Sequence, residues 1–213
     1  MIEYKKRLDT YISSLCTDES DELKEIEDYA VKFGVPIIKR GAREFLRTVL
    51  TVKNPNTILE IGSAIGFSAI LMAKIVPDSK IKTIENYDKR IPVALDNFKK
   101  YGFDDRITLV EEDAAKVLKQ ENAGYDFIFL DAAKAQYITL LPDIIRLLNK
   151  GGLLIADNVL YDSYILESRF AVERRDRTIH HRLREYLYEV THNQSLKSSV
   201  VPIDDGICMS VKL

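Results

Sequence analysis

Tryptophan is absent from the 213 residues, and cysteine occurs only at Cys16 and Cys208. The two lie far apart and form no CxxC pair, so neither a dithiol redox motif nor a cysteine-based zinc knuckle is expected. Two cysteines can form one bridge, but reduced thiols in a cytoplasmic protein are the simpler reading. No run of roughly 18 uncharged apolar residues occurs, so no membrane span is expected. The opening MIEYKKRLDTYISSL has neither the apolar run and cleavage site of a signal peptide nor the composition of a transit peptide. Net charge is only -2, so the chain is no polycation, and a nucleic-acid partner would need a local basic face.

What is present is an ordinary folded composition, 46% hydrophobic and 30% charged, at a length that suits one α/β domain. Charge is segregated along it. Residues 1–28 hold nine acids against four bases, whereas 169–185 hold six arginines, among them Arg169, Arg174, Arg175 and Arg177, with His180 and His181. A solvated helix face accounts for such a stretch as well as a binding surface does. The histidines, His192 included, are read as exposed or packed and are given no acid–base or metal role.

Apolar spacing predicts helices over 3–15, 20–33 and about 39–52. Beyond the turn at Lys53–Asn56 the pattern alternates. Strands are predicted at 57–61, 80–85, 107–110, 125–130 and 153–156, with helices at 68–76, 92–101, 115–120 and 137–148 between them. A long helix is expected over 170–194, then closing strands at 199–203 and 207–211 joined by the turn Asp204-Asp205-Gly206. The expected fold is α/β: a seven-stranded, mostly parallel Rossmann-like sheet with helices on both faces. One domain, 1–213, carries an N-terminal helical appendage (1–52) on an α/β core (57–213).

The segment ILEIGSAIGFSAI reads strand, glycine loop, helix. Gly62 and Gly66 permit a tight turn and close approach of backbone to a ligand. The spacing is GxxxG, with Ser63 and Ala64 where a dinucleotide fingerprint would continue, and no GK[ST] follows. A nucleoside cofactor fits this loop; so does a turn needed only by the fold. Glu85 ends the second strand, where an acid can accept from ribose hydroxyls. Asp113, followed by Ala114, could meet an adenine amino group or cap the helix that follows.

Asp131 follows the fourth strand, and Asp157-Asn158 follow the fifth. Ligands gather beyond the carboxyl ends of parallel strands, so these three could converge as hard oxygen donors for Mg2+, or for Mn2+ or Ca2+. They could equally cap the loops they begin. Lys134, three residues past Asp131, could face the same cavity and take a proton from a substrate hydroxyl, or could be a surface lysine.

ExGxxxG from Glu60 to Gly66, the strand-end Glu85 and the later Asp113 resemble class I S-adenosylmethionine-dependent methyltransferases over about 57–158. IGxAxGxS and DAxKxxY with a following Asp-Asn resemble, more narrowly, the metal-dependent O-methyltransferases that include catechol and caffeoyl-CoA enzymes. That resemblance implies S-adenosylmethionine bound through Glu60, Gly62, Ser63, Gly66, Ser68, Glu85, Asp113, Ala114 and Asp131. It implies a divalent metal on Asp131, Asp157 and Asn158, and Lys134 as base. It also implies contacts within 36–41 and a homodimer, and leaves the role of Tyr137 open.

Over nearly its full length the chain resembles bacterial enzymes that methylate tRNA 5-hydroxyuridine. That makes the tRNA anticodon loop the first expected partner, with a small catechol-like diol as the alternative. Arg169, Arg174, Arg175 and Arg177 are the candidate phosphate contacts, and Tyr161 or Phe170 the stacking residues. The same arginines could hold a dimer interface or an acyl-CoA phosphate. Asp204 stands where many relatives have glycine. A non-catalytic RNA-binding protein on this fold would have lost an acid or the lysine, and none is missing.

Overall fold

This computed structural model describes the backbone of residues 2–168 and 170–213, and their side chains except at 2–6, 9 and 162–164. Three helices lead, α1 (Ile2–Leu15), α2 (Asp21–Phe33) and α3 (Arg40–Lys53). Strands and helices then alternate: β1 (Thr57–Ile61), α4 (Phe67–Ile75), β2 (Lys80–Glu85), α5 (Ile91–Lys100), β3 (Ile107–Glu111), α6 (Ala114–Gln120), β4 (Tyr125–Leu130), α7 (Tyr137–Leu147) and β5 (Leu148–Ala156). Helix α8 (Arg177–His192) and strands β6 (Leu196–Val201) and β7 (Ile207–Lys212) finish the chain. Among the described residues no helix is long and apolar enough to cross a membrane.

The sheet order is β3-β2-β1-β4-β5-β7-β6. Every neighbouring pair is parallel except those made by β7, which runs against both β5 and β6. The expected seven-stranded, mostly parallel Rossmann-like sheet, with helices on both faces and a helical appendage, is therefore what forms. Three element starts differ from the sequence reading. The long helix begins at Arg177 rather than near 170, because 161–166 is a 3-10 helix and 170–176 is turns. The first closing strand starts at Leu196 and the fifth strand at Leu148, since the ladder carries both past the apolar runs that signalled them.

Strand side chains sort by the two-residue period of the pleat. Ile58, Phe127, Phe129 and Ile155 pack with α2, α3, α4 and α5, while Leu59, Ile61, Ile128, Leu130 and Leu154 pack with α6, α7 and α8. The carboxyl ends of β1, β2, β4 and β5 open at one edge, where the backbone stays tethered. Asp131 N–H donates to the Ile61 carbonyl at 3.0 Å and Asp157 N–H to the Leu130 carbonyl at 3.0 Å.

The appendage is fixed to this edge by a buried cation. Arg43 on α3, 3% exposed, pairs with Glu19 at 3.4 Å and Glu27 at 2.9 Å, and its guanidinium lies 4.3 Å from the centre of the Phe67 ring. Its Nε donates to the Ile38 carbonyl at 2.7 Å, holding the strap 35–39 that runs into α3. Removing one member of a buried ion group leaves the others desolvated. Arg43→Met is expected to destabilise the fold by roughly 3–5 kcal/mol, measured by urea unfolding. A loss below about 1 kcal/mol would mean that Arg47 alone satisfies Glu19.

Candidate active site

A cavity of about 630 Å3 opens at the carboxyl edge, within the range of small-molecule sites. Gly62, Ser63, Glu85, Ala114, Asp131, Lys134, Asp157, Asn158 and Tyr161 line it, as do Lys39, Tyr87, Arg90, Glu112 and Asp205. The structure thus gathers both halves of the sequence-based site, the glycine loop and the strand-end acids, around one space.

The glycine loop is shaped by two requirements. Gly62 adopts φ +104, and a Cβ there would lie 2.2 Å from the Asp131 carbonyl oxygen. No side chain fits, so β1 and β4 can approach closely where the loop leaves the sheet. The N–H groups of Gly62 and Ser63 donate to the Ile84 carbonyl at 3.0 and 3.1 Å, which ties the loop to β2. Glu85 then accepts from the N–H of Ala64 at 2.8 Å, Asn86 at 2.9 Å and Tyr87 at 3.0 Å. Its carboxylate is fixed at the cavity wall with lone pairs left for a further donor. Ser63 Oγ is buried and has no hydrogen-bond partner in the protein, an orphan hydroxyl on the same wall. A hydroxyl-bearing nucleoside fits a wall of this kind.

Three expected cofactor residues take different posts. Glu60 is fully buried beneath the cavity, accepting from Ser68 Oγ at 2.5 Å and from Thr83 Oγ1. Its parity on β1 turns it toward α4 rather than toward the cavity. Gly66, φ +84, starts α4 with the Phe98 ring against it and does not line the cavity. Asp113 caps α6, its Oδ1 accepting from Ala115 N–H at 3.0 Å and Lys116 N–H at 3.3 Å, and its neighbours Glu112 and Ala114 face the cavity instead. Ser68 does line the cavity, with its hydroxyl turned down to Glu60.

At the other end the acids converge. Lys134 Nζ lies 2.6 Å from Asp131 Oδ1 and donates to Tyr137 Oη at 3.0 Å. Tyr137 is fully buried, and its hydroxyl stands 3.0 Å from the carbonyls of both Leu130 and Asp157. One phenol therefore pins the ends of β4 and β5 and the lysine between them, a role its place in the motif left open. Asp157 is 2% exposed. Burial pushes its carboxyl up to about 7; Asp131 and Asp205 add to the rise and Lys134 opposes it. Asn158 takes a left-handed φ of 55, and its N–H donates to Asp157 Oδ1 at 2.7 Å.

Sequence reading expected contacts within 36–41 without naming Lys39, and gave Asp205 no place in the site. The two residues pair at 2.5 Å across the cavity rim. The signal lay in topology: β7 runs against β5, so the turn before β7 must sit beside the residues after β5. Asp204 keeps a left-handed φ of 48, as glycine would, and uses its side chain to accept the Ala42 N–H at 2.8 Å, capping α3.

The arginines lie apart from this. Arg169 is outside the described residues. Arg174, Arg175 and Arg177 do not line the cavity. Arg175 is paired with Glu173 at 3.0 Å, and Arg177 Nε donates to the Val172 carbonyl at 3.2 Å. Arg182 and Arg184 donate to the carbonyls of Ala135 and Ile165, bracing the two 3-10 helices 134–136 and 161–166 against α8.

Known proteins are similar to this chain. The O-methyltransferase family model matches residues 13–213. A catechol O-methyltransferase of Niastella koreensis is 32% identical over 167 residues, covering 75% of this chain and 76% of its own. A caffeoyl-CoA O-methyltransferase of Medicago sativa is 28% identical over 219 residues, covering 94% and 86%. The crystal structure of an S-adenosylhomocysteine-bound methyltransferase of Podospora anserina matches with a TM-score of 0.89 at 24% identity, over 99% of this chain and 96% of that one. At that identity the likeness is one of fold.

Glu60 supplies a test of the buried charge. Burial pushes its carboxyl from the ordinary 4.5 up to about 7, against the hydrogen bonds from Ser68 and Thr83. The folded protein holds this proton more tightly than the unfolded chain does. The group's contribution to stability is therefore full below pH 4.5 and is lost as pH rises through about 7. Glu60→Gln is expected to gain on the wild type by up to about 3 kcal/mol between those limits. Parallel plots of unfolding free energy against pH would contradict it.

Proposed function

This chain belongs to the O-methyltransferase family, and on that footing we propose that it methylates one hydroxyl of a small catechol-like or caffeoyl-type diol. It is a class I, S-adenosylmethionine-dependent O-methyltransferase. The observation that carries the finer reading is the meeting of Asp131, Asp157, Asn158 and Lys134 beside the glycine loop in one cavity.

S-adenosylmethionine brings a methyl group on a sulfonium. Glu85, held by three backbone N–H groups, is set to accept from ribose hydroxyls. The loop from Gly62 and the orphan Ser63 hydroxyl face the rest of the cofactor. Acids outnumber bases on the lining, which suits a sulfonium cation.

A divalent cation also fits. Asp131, Asp157 and Asp205 line one cavity with Lys134 and Lys39, and Asp157 is driven toward its protonated form. All-oxygen donors of this kind suit Mg2+, Mn2+ or Ca2+. Asp131, Asp157 and Asn158 would hold it, and it would supply positive charge beside two vicinal substrate oxygens. Lys134 Nζ is the basic atom of the site, and in its neutral form it would take the hydroxyl proton as the oxygen bonds to the methyl carbon and the carbon–sulfur bond breaks, releasing S-adenosylhomocysteine. Tyr137 keeps that nitrogen at the strand ends. Tyr161, whose hydroxyl lies 3.3 Å from Asp176, walls the substrate end.

The names of the relatives, catechol and caffeoyl-CoA, support a small diol over tRNA. The internal pairing of Arg175 and Arg177 supports the same choice. Purified protein with S-adenosylmethionine is expected to form monomethyl ethers from vicinal diols at least about 100-fold faster than from the corresponding single phenols, followed by mass spectrometry. Chelation is expected to slow turnover by at least about tenfold, with recovery on adding Mg2+. Methyl transfer to tRNA alone would overturn the diol reading, and full turnover after stringent chelation would overturn the metal.

A further inference from the structure

The turn that joins β6 to β7 does more than close a hairpin. Ala156 pairs with Cys208, so residues 203–206 lie alongside the segment that leaves β5. Two backbone bonds lock the segments together: Val159 N–H donates to the Gly206 carbonyl at 2.9 Å and Leu160 N–H to the Asp205 carbonyl at 2.8 Å. Gly206, φ +86, lies so close that a Cβ would stand 2.3 Å from Leu160 Cγ. Asp205 is thereby held against Asn158. Its Oδ2 accepts from Asn158 Nδ2 at 3.4 Å and from Lys39 Nζ at 2.5 Å. The carboxylate is mostly buried, with 13% of its side chain exposed.

An asparagine amide carries an oxygen on one edge and a donor on the other, and only the oxygen can ligate a hard cation. The two ends have nearly the same shape, so packing does not choose between them; the partner of the NH2 does. A carboxylate beside one edge decides the matter, because the flipped amide would set two acceptor oxygens face to face. Such outer partners commonly fix the orientation of the groups that touch a metal. Lys39 in turn restrains Asp205, which links the strap 35–39 to the strand-end acids across the rim.

We propose that Asp205 is a positioning residue that orients the Asn158 amide, leaving its oxygen for the divalent cation, with Lys39 holding Asp205 in place. This inference rests on the metal reading of the site. It assigns Asp205 no direct ligation and no contact with the reacting atoms.

Mn2+ is the probe, titrated into the full-length protein by calorimetry and by the loss of its free electron paramagnetic resonance signal, without substrate. Asp205→Ala is expected to weaken Mn2+ binding by roughly 10–100-fold. Its S-adenosylhomocysteine affinity is expected to stay within about twofold, since Asp205 lies with the acids rather than at the glycine loop. Asp205→Asn keeps an acceptor oxygen while losing the charge, and should recover most of the binding; it also serves if the alanine variant fails to fold. Equal loss in both variants would show that charge, not orientation, is at work, and would overturn the proposal. Unchanged Mn2+ binding in Asp205→Ala, with loss in Asp157→Ala, would overturn it and leave the metal reading standing. Parallel loss of Mn2+ and S-adenosylhomocysteine binding would mark Asp205 as merely structural. A wild-type protein that binds S-adenosylhomocysteine but not Mn2+ would remove the metal reading itself.

Discussion

Carboxylates crowded into a desolvated sheet edge are the constraint from which the site follows. Glu60, Asp131, Asp157 and Asp205 all lie at or beneath the carboxyl end of β1, β4, β5 and the hairpin beside them. A carboxylate removed from water must find a cation, find donors or take up a proton. The acids here divide among these three solutions. Glu85 takes backbone N–H groups, Asp131 takes Lys134, Asp205 takes Lys39, and Glu60 and Asp157 are driven toward protonation. A site tuned in this way holds more negative charge than its own cations neutralise. It is therefore set to receive positive charge from outside, which a sulfonium and a divalent metal both carry.

Holding such a cluster together requires rigid neighbours, and the fold supplies them from both sides of the sheet. Tyr137 reaches up from α7, packs edge-on against Tyr186 at 5.4 Å between centroids, and ties two strand-end carbonyls and Lys134 to one hydroxyl. From the other face Arg43 fixes the strap 35–39 through the Ile38 carbonyl, and Asp204 caps the helix that follows. The appendage and the hairpin thus meet over the cavity through adjacent aspartates. Asp204 restrains α3, and Asp205 restrains Lys39.

How much of this the sequence disclosed depended on the range of the interaction. The order of elements from β1 to β5, with the seven-stranded sheet, followed from hydrophobic period and glycine punctuation, which are local. So did the gathering of Asp131, Asp157 and Asn158, because parallel strands of one sheet end at one edge. Side-chain parity was equally local, yet it was not applied to Glu60, which β1 turns down toward Ser68. Asp113 met two descriptions, cap and ligand, and the short helix after it claims the cap. The start of α8 was placed too early because the amphipathic stretch was extended back over 170–176, which folds as turns, and the helix begins only at Arg177. Asp205 follows from combining strand direction with register, a non-local inference that was not drawn from the hairpin the sequence had already suggested.

The arginine-rich segment shows why charge pattern alone is a poor guide to partners. Six arginines within 169–185 read as a phosphate-binding face when only their number and spacing are considered. In the folded chain, Arg177, Arg182 and Arg184 each donate to a backbone carbonyl in the stretches 135–136 or 165–172. Ala135 and Ile165 lie in short 3-10 helices and Val172 in the turns before α8, and a guanidinium with five donors is well suited to bond carbonyls in such short segments. Part of the arginine cluster therefore serves the backbone before any ligand is considered, and the choice of substrate returns to the acids, the lysine and the glycine loop.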